Sequence, residues 1–418
     1  MLMTATLSAH NFLTRNGTIL IGDSSYRVEA HKFRFHSAEK TARKLKMPYF
    51  VESVPIEVHF HGIGQIDFSG NVDNLDLTTI QKLLSEEGVM GIPTIFLEKS
   101  KLKCFLDLMQ RFSVLKQNGK LENILGLALE GPVLLSRGGT PKEGSWIPTR
   151  KQWKDIAACG EKGLKYMVIS PDWDLSKLLP VAELFLSNGI YLSLGHCRRD
   201  FVKAAVEGIN AVTDLATKIG FKPYSGAISV DHLFNDMPRN IKHAWRTVSE
   251  RRMRSQQLID MDIDKWNFGS LESQIGEVPA TMIKLAVNGL ITLFLNFDSY
   301  HVDLQICRRV YEMVGTAGIT AMTDRMESSA FGKWHLKKAE IGTLWYQESG
   351  SVAVGSSTLD EQMINMRSLM IPEKDIWKIC ALNPAQIFMH NKLSRKKTDY
   401  LSYVDKRSLR IGIETQMT

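Results

Sequence analysis

Four short segments constrain this chain more than any others: His59-Phe60-His61-Gly62, Leu129-Glu130-Gly131-Pro132, Gly195-His196-Cys197 and Met322-Thr323-Asp324. Each sits where an apolar run of strand length breaks into a loop. Parallel strands that are buried on both faces read as such runs. A barrel brings the C-terminal ends of several strands to one mouth, and catalytic groups collect there. Histidine-x-histidine, then a carboxylate, then a histidine, then an aspartate, in that order, is the donor order of a metal-dependent hydrolase on such a barrel.

The rest of the chain agrees with that layout. Strand patterns at Ile56–Phe60, Gly91–Phe96, Leu125–Glu130, Tyr166–Ser170, Ile190–His196, Ile291–Asn296 and Gly318–Asp324 alternate with helical stretches such as Phe105–Asn118. Alternating strands and helices imply a parallel sheet, and about eight such units close most naturally as a barrel. The fold class expected is α/β, a (β/α)8 TIM-type barrel over residues 54–390. Residues 1–53 and 391–418 read as short strands, with a turn at Gly22-Asp23-Ser24. They are expected to form the two parts of a small β-sandwich domain. Residues 239–285 contain a polar, charged stretch with a basic cluster from Arg246 to Arg254 and read as an insertion or active-site loop region.

Composition narrows the alternatives. The chain has 418 residues, 44% of them hydrophobic and 23% charged, which is ordinary for a globular protein. The formal charge of +7 is spread rather than blocked, and no nucleic-acid motif accompanies it. No nucleic-acid partner is expected. Five cysteines without a CxxC pair suggest free thiols in a reducing compartment. No uncharged apolar run reaches about 18 residues, so no membrane span is expected, and the N-terminal residues lack a signal-peptide pattern. A cytoplasmic protein acting on a small molecule is the expectation.

The candidate site residues follow from position. His59 and His61 lie two apart on a strand and point the same way, a geometry that suits a divalent metal. Glu130 closes an apolar strand, where a carboxylate is costly to bury without a cation. His196 closes another. His232, after Ala227–Asp231, supplies a third metal donor. Asp214, after Asn210-Ala211-Val212-Thr213, is a rival for that place, and His232 is favoured. Asp324 is the natural general base beside a metal, the alternative being a helix cap. His301 is placed to bind or polarise substrate.

These motifs resemble those of the N-acetylglucosamine-6-phosphate deacetylase family of the amidohydrolase superfamily. The family's His-x-His-Gly is matched by His59–Gly62, and its His-Leu-Glu-Gly-Pro by Ala128–Pro132 with the leading histidine lost. Its Gly-His-Ser/Thr is matched by Gly195–Cys197, and its Thr-His-Leu-Phe-Asn-Ala-Met by Asp231–Met237. Its Asp-Gly-x-His is matched by Asp298–His301 and its Thr-Asp-Ala by Thr323–Arg325. Val354–Ser357 and Asn383–Ala385 resemble its Ala-Gly-Ser and Asn-Pro-Ala segments. The resemblance spans roughly residues 15–415. It implies that Glu130, His196 and His232 bind the catalytic metal, that His59 and His61 serve a second ion where one is present, that Asp324 is the acid/base, and that His301 contacts the carbonyl or sugar. The ion expected is zinc, with iron or another divalent metal as alternatives, and the assembly expected is a homodimer.

The departures fall on the substrate side. Thr140 stands where the family has a sugar-contacting histidine, and a segment rich in histidine after the Asn-Ala-Met motif is replaced by the basic stretch starting near Arg239. His196 and His232 are 36 residues apart, a longer gap than the family's, which is why Asp214 competes. Asn235, Thr140 and Arg239 are the expected substrate contacts, with Arg246 and Arg251 as further candidates for an anionic group. The expected activity is deacetylation of an N-acetylated amino sugar, N-acetylglucosamine-6-phosphate or a specialised relative, by metal-activated water. The alternatives are hydrolysis of a cyclic amide, a deamination, or a non-catalytic binding role.

Overall fold

The computed structural model describes residues 54–70, 72–241 and 244–389 with their side chains, and the backbone of six strands nearer the two ends of the chain. Eight parallel strands form the central sheet: β1 (Ile56–Phe60), β2 (Met90–Phe96), β3 (Leu127–Glu130), β4 (Leu164–Ile169), β5 (Tyr191–Leu194), β6 (Ile228–Val230), β7 (Thr292–Leu295) and β8 (Ile319–Ala321). They are hydrogen-bonded in sequence order from β1 to β8. Just beyond β8 the chain closes the ring: Asp324 N–H donates to the His59 carbonyl at 3.0 Å and His61 N–H donates to the Arg325 carbonyl at 2.8 Å. The fold is the (β/α)8 barrel implied by the strand pattern.

Side-chain parity explains the site. Leu127 and Leu129, Met167 and Ile169, Leu192 and Leu194, Ile228 and Val230 belong to one continuous core shared with the surrounding helices. Residues of the other parity face the barrel axis. Glu57, Tyr166, Ser193, Ser229, Phe294 and Thr320 are all buried there. Continuing that parity past the strand ends brings His59, His61, Glu130, Asp231 and Asp324 to the same mouth.

Helices separate the strands, among them α1 (Leu77–Glu87), α2 (Leu102–Gln117), α3 (Arg150–Ala157), α4 (Leu175–Ser187) and α5 (Val202–Lys218). Their ends are encoded locally. Asp76 accepts from Thr78 and Thr79 N–H at the start of α1, and Thr149 with Gln152 forms a capping box at α3. Between β6 and β7 the basic stretch forms α6 (Val248–Asp260), whose one buried residue is Arg254, and then leads to α7 (Glu277–Val287), which packs into the core.

At the ends of the chain, Thr4–Leu13 pairs antiparallel with Ile19–Glu29, which pairs with Lys32–Phe35. Phe50–Val51 runs parallel to Thr4–Leu13 and antiparallel to Tyr400–Val404, which pairs with Ile411–Thr415. A six-stranded sheet therefore draws on both ends of the chain. The turn expected at Gly22–Ser24 lies inside a continuous strand instead; a register shift between Ala9 and Asn11 absorbs the irregularity. Among the described residues no helix is long and apolar enough to cross a membrane.

Candidate metal centre and its cavity

Seven expected site residues meet at the barrel mouth. Glu130 stands between two groups of donors. Its Oε1 lies 2.5 Å from His196 Nε2 and 3.5 Å from His232 Nε2, and its Oε2 lies 3.2 Å from His59 Nε2 and 3.0 Å from His61 Nε2. Asp324 Oδ1 is 3.2 Å from His61 Nε2 and 3.8 Å from His59 Nε2, and its Oδ2 is 3.5 Å from His301 Nε2. All seven are buried.

Asp214 is not among them. It lies on α5, exposed to solvent, while Ala205, Ile209, Val212 and Ala216 bury the opposite face. The run Asn210–Leu215 is therefore part of an amphipathic helix rather than a strand end, and the rival reading is removed.

Four of the histidines are held by their second ring nitrogen. His196 Nδ1 lies 2.8 Å from Asp236 Oδ2 and 3.0 Å from the Ser136 carbonyl, and His61 Nδ1 lies 3.2 Å from the Thr94 carbonyl. His301 Nδ1 lies 2.7 Å from Asp298 Oδ2, and His59 Nδ1 lies 3.1 Å from the Tyr166 hydroxyl. Donation from Nδ1 leaves the Nε2 lone pair of each ring facing the centre, the arrangement by which outer carboxylates and carbonyls orient metal-ligating imidazoles.

Electrostatics point the same way. Burial alone would lower the His61 pKa, but the Asp324 and Glu130 carboxylates outweigh it and raise it to about 9. Burial opposes protonation of His196 as well, and Asp236 with Glu130 raises it to about 10. For Glu130, burial pushes upward and four surrounding histidines pull the carboxyl well below its usual range. Asp324 is lowered too, its burial outweighed by His61 and His301. The centre thus attracts positive charge strongly, and in the absence of a cation His61 and His196 carry protons.

A metal fits this donor set. Nε2 of His59 and His61 are 3.2 Å apart, as are those of His196 and His232. Ligand atoms about 2.0–2.1 Å from one tetrahedral ion are roughly 3.3 Å from each other. Only imidazole nitrogens face the buried Glu130 Oε2, which accepts from no backbone group or hydroxyl. Two groups of donors converge, Glu130 with His196, Asp231 and His232, and His59 with His61 and Asp324. Three of these residues hold left-handed backbone conformations without being glycine, His196 at φ 56°, His232 at 28° and Asp324 at 51°. Such strain persists where surrounding structure imposes it and collects at functional sites.

The centre opens into a cavity of ≈ 640 Å³, lined by Glu130, His196, His232 and Asp324 together with Thr140, Asn235, Arg239 and Arg246. The expected substrate contacts Thr140, Asn235 and Arg239 therefore share one space. Arg251 does not line it; its guanidinium lies 5.9 Å from the Trp245 ring and 5.7 Å from that of Tyr300. The Thr140 loop is pinned on both sides. Ser136 Oγ donates to Asp236 Oδ1 at 2.7 Å, and Gln347 Nε2 donates to the Gly139 and Thr140 carbonyls. Gly139 is required at that approach, since a Cβ there would lie 1.8 Å from the Val352 carbonyl oxygen.

Several residues were not singled out from sequence. Asp231 and Asp236 flank His232 and bracket both histidines, and Arg199 lines the cavity. Asp231 was detectable by parity, since Ser229 and Asp231 point to the axis when Ile228 and Val230 point to the helices. Asp236 reaches His196 only through the positive φ angles of His232, Phe234 and Asp236 itself, which these residue types do not announce.

The fold and this arrangement define a (β/α)8 barrel with buried imidazoles and carboxylates gathered at its strand ends. In particular, the chain shares its fold with solved N-acetylglucosamine-6-phosphate deacetylases. The Pasteurella multocida enzyme superimposes with a TM-score of 0.69 at 15% identity, covering 99% of this chain and 98% of that one. The Thermotoga maritima enzyme gives 0.68 at 16% identity over 97% and 96%. A mutant of the Mycobacterium smegmatis enzyme, solved in complex with N-acetyl-D-glucosamine-6-phosphate, gives 0.65 at 17% identity over 98% and 96%. No protein-family profile and no curated relative matches the sequence.

Proposed function

We propose that this chain is a metal-dependent amide hydrolase that deacetylates an N-acetylated amino sugar carrying an anionic group, N-acetylglucosamine-6-phosphate or a related compound. The observation that carries the reading is the convergence of Glu130, His196, His232, His59, His61 and Asp324 on one buried centre that opens to a cavity. Glu130, His196 and His232 would hold one divalent cation and His59 and His61 a second, with zinc the ion this nitrogen and oxygen donor set suits first. When bound, a divalent cation polarises the amide carbonyl and makes water acidic enough to attack it near neutral pH.

The remaining work falls to the chain's own side chains. Asp324 lies at the cavity wall with its carboxyl held ionised, so it can take a proton from the attacking water and pass it to the leaving amine. His301, oriented by Asp298, presents Nε2 toward Asp324 and the reacting carbonyl. Thr140 Oγ1 and Asn235 Oδ1 are buried at the cavity without a hydrogen bond, which suits them to sugar hydroxyls. Arg199, Arg239 and Arg246 line the same space and suit a phosphate or carboxylate. Burial lowers the Arg239 pKa only to about 10, so it stays cationic. Thr140, in place of a histidine, favours a specialised substrate over the common sugar phosphate.

The test is metal analysis of the purified protein together with amine release from a panel of N-acetylated hexosamines, with and without phosphate, and of cyclic amides. The reading expects bound divalent metal, acetate release from an anionic N-acetyl sugar, and a loss of about 10²–10⁴-fold in kcat for Asp324→Asn. Turnover of cyclic amides alone would move the chain to another hydrolysis of the same class. Absence of metal, with Asp324→Asn indifferent, would leave a binding role.

A further inference from the structure

Asp231 is fully buried and stands directly before His232. The resembling family has threonine at this place in its Thr-His-Leu-Phe-Asn motif, so the carboxylate is a departure inside the best-matched segment. Neither carboxylate oxygen accepts from a backbone group or a hydroxyl; only imidazole nitrogens face them. A carboxylate buried so completely is expensive and calls for a cation. The oxygens have different surroundings. Oδ2 lies 2.9 Å from His232 Nε2 and 3.6 Å from His196 Nε2, and Oδ1 lies 3.2 Å from His59 Nδ1. Oδ2 therefore shares with Glu130 Oε1 the point on which the His196 and His232 nitrogens converge, and the four ligand atoms lie within 4.8 Å of one another.

Resting on the hydrolase reading above, we infer that Asp231 is a direct fourth protein ligand of the ion held by Glu130, His196 and His232. Three protein donors leave an open position on a tetrahedral ion, so with Asp231 as a fourth donor water or substrate would enter as a fifth ligand, an expansion catalytic zinc sites make. The added charge also matters. Glu130, Asp231 and Asp324 bring three carboxylates to the imidazoles of the centre, a charge that favours a divalent cation there. Oδ1, facing His59 Nδ1, ties the same carboxylate to the orientation of the neighbouring donor group.

The test uses the full chain with zinc and cobalt(II) as probes. Wild type, Asp231→Asn, Asp231→Thr, His232→Ala and His59→Ala are loaded, and zinc affinity is measured by chelator competition. Cobalt(II) absorption reports the donor set directly, and circular dichroism confirms folding. A direct ligand predicts at least a 10³-fold loss of affinity at one site in Asp231→Asn and Asp231→Thr. It also predicts a shifted cobalt band, and no further loss at that site when Asp231→Asn is combined with His232→Ala. Affinity within about threefold of wild type and an unchanged cobalt band would overturn the inference while leaving the hydrolase reading intact. A loss shared with His59→Ala instead of His232→Ala would also overturn it, assigning Asp231 to positioning His59. Wild type that binds no metal would remove both.

Discussion

Replacing Arg325 by alanine tests how the barrel is closed and how Asp324 is held. Arg325 is fully buried directly after Asp324, where the resembling family has alanine. Its Nε lies 3.0 Å from Glu57 Oε1, and Nη2 lies 2.7 Å from Glu87 Oε2. Burial would lower its pKa, but Glu57, Glu87 and Glu327 raise it, so the guanidinium is charged at any working pH. The three partners are unequal. Glu87 and Glu327 are about one-third exposed, and pairs of that kind contribute about 0.2–1 kcal/mol. Glu57 is as buried as Arg325, and burial raises its carboxyl to about 7 even beside the guanidinium; at pH 8, where it is ionised, removing one member of such a buried pair costs about 3–5 kcal/mol. With a urea slope of about 3 kcal/mol per molar, Arg325→Ala should lower the unfolding midpoint by about 1–1.7 M. The measurement is urea unfolding of metal-stripped protein, so that bound metal does not mask the change. Adding Glu57→Gln removes the stranded charge and should restore at least half the loss. A midpoint shift below about 0.3 M, or a double variant as unstable as the two single losses summed, would refute the argument that Glu57 is the dominant partner.

Two further outcomes follow from the site. Asp214→Ala, on the exposed face of α5, should leave metal content unchanged and stability within about 0.5 kcal/mol of wild type, whereas His232→Ala should lose metal in elemental analysis. The metal-stripped protein should also lose stability in alkali. His61 and His196 have folded pKa values of about 9 and about 10 against an ordinary value near 6.5. Their contribution is therefore fully present below about pH 6.5 and fades as pH rises through 9 to 10. Thermal melting across that range, with and without zinc, checks this. The loaded protein should show a flatter profile, because the cation takes the place of the protons.

The strand ends were legible because the signal there is local. An apolar run that stops on Glu130 or His196 beside a glycine or proline needs no long-range information to interpret. Asp214 shows the limit of that logic. Read alone, Asn210–Leu215 looks like a strand end, but the buried spacing Ala205, Ile209, Val212, Ala216 is helical and places Asp214 on the far side. Period over a long window decides what a six-residue run cannot. Likewise Gly22–Ser24 carries turn residues yet lies within Ile19–Glu29, where strand pairing overrides local preference. The placements of Asp231 and Asp236 differ in how far sequence reaches them. Asp231 follows once parity is carried past β6, whereas Asp236 depends on left-handed residues that are not glycine.

Asp236 joins the parts of the mouth that match the resembling family to those that depart from it. One of its oxygens meets His196 Nδ1 and the other accepts from Ser136 at the root of the Thr140 loop. Its own carbonyl accepts from Cys197 N–H, and its side chain packs against Gly138. The segment that delivers it includes three positive φ angles, each costing about 1–3 kcal/mol in a residue that is not glycine. A stretch so disfavoured is stable only while its contacts hold it. Those contacts run to a metal-ligand candidate on one side and to a substrate-contact candidate on the other. The positions of His196 and Thr140 are therefore coupled through a single carboxylate. That coupling explains how a chain can exchange the residues around its cavity and still present the donors at the strand ends in working order: the new loop is anchored to the second ring nitrogen of His196, leaving the nitrogen that faces the centre undisturbed.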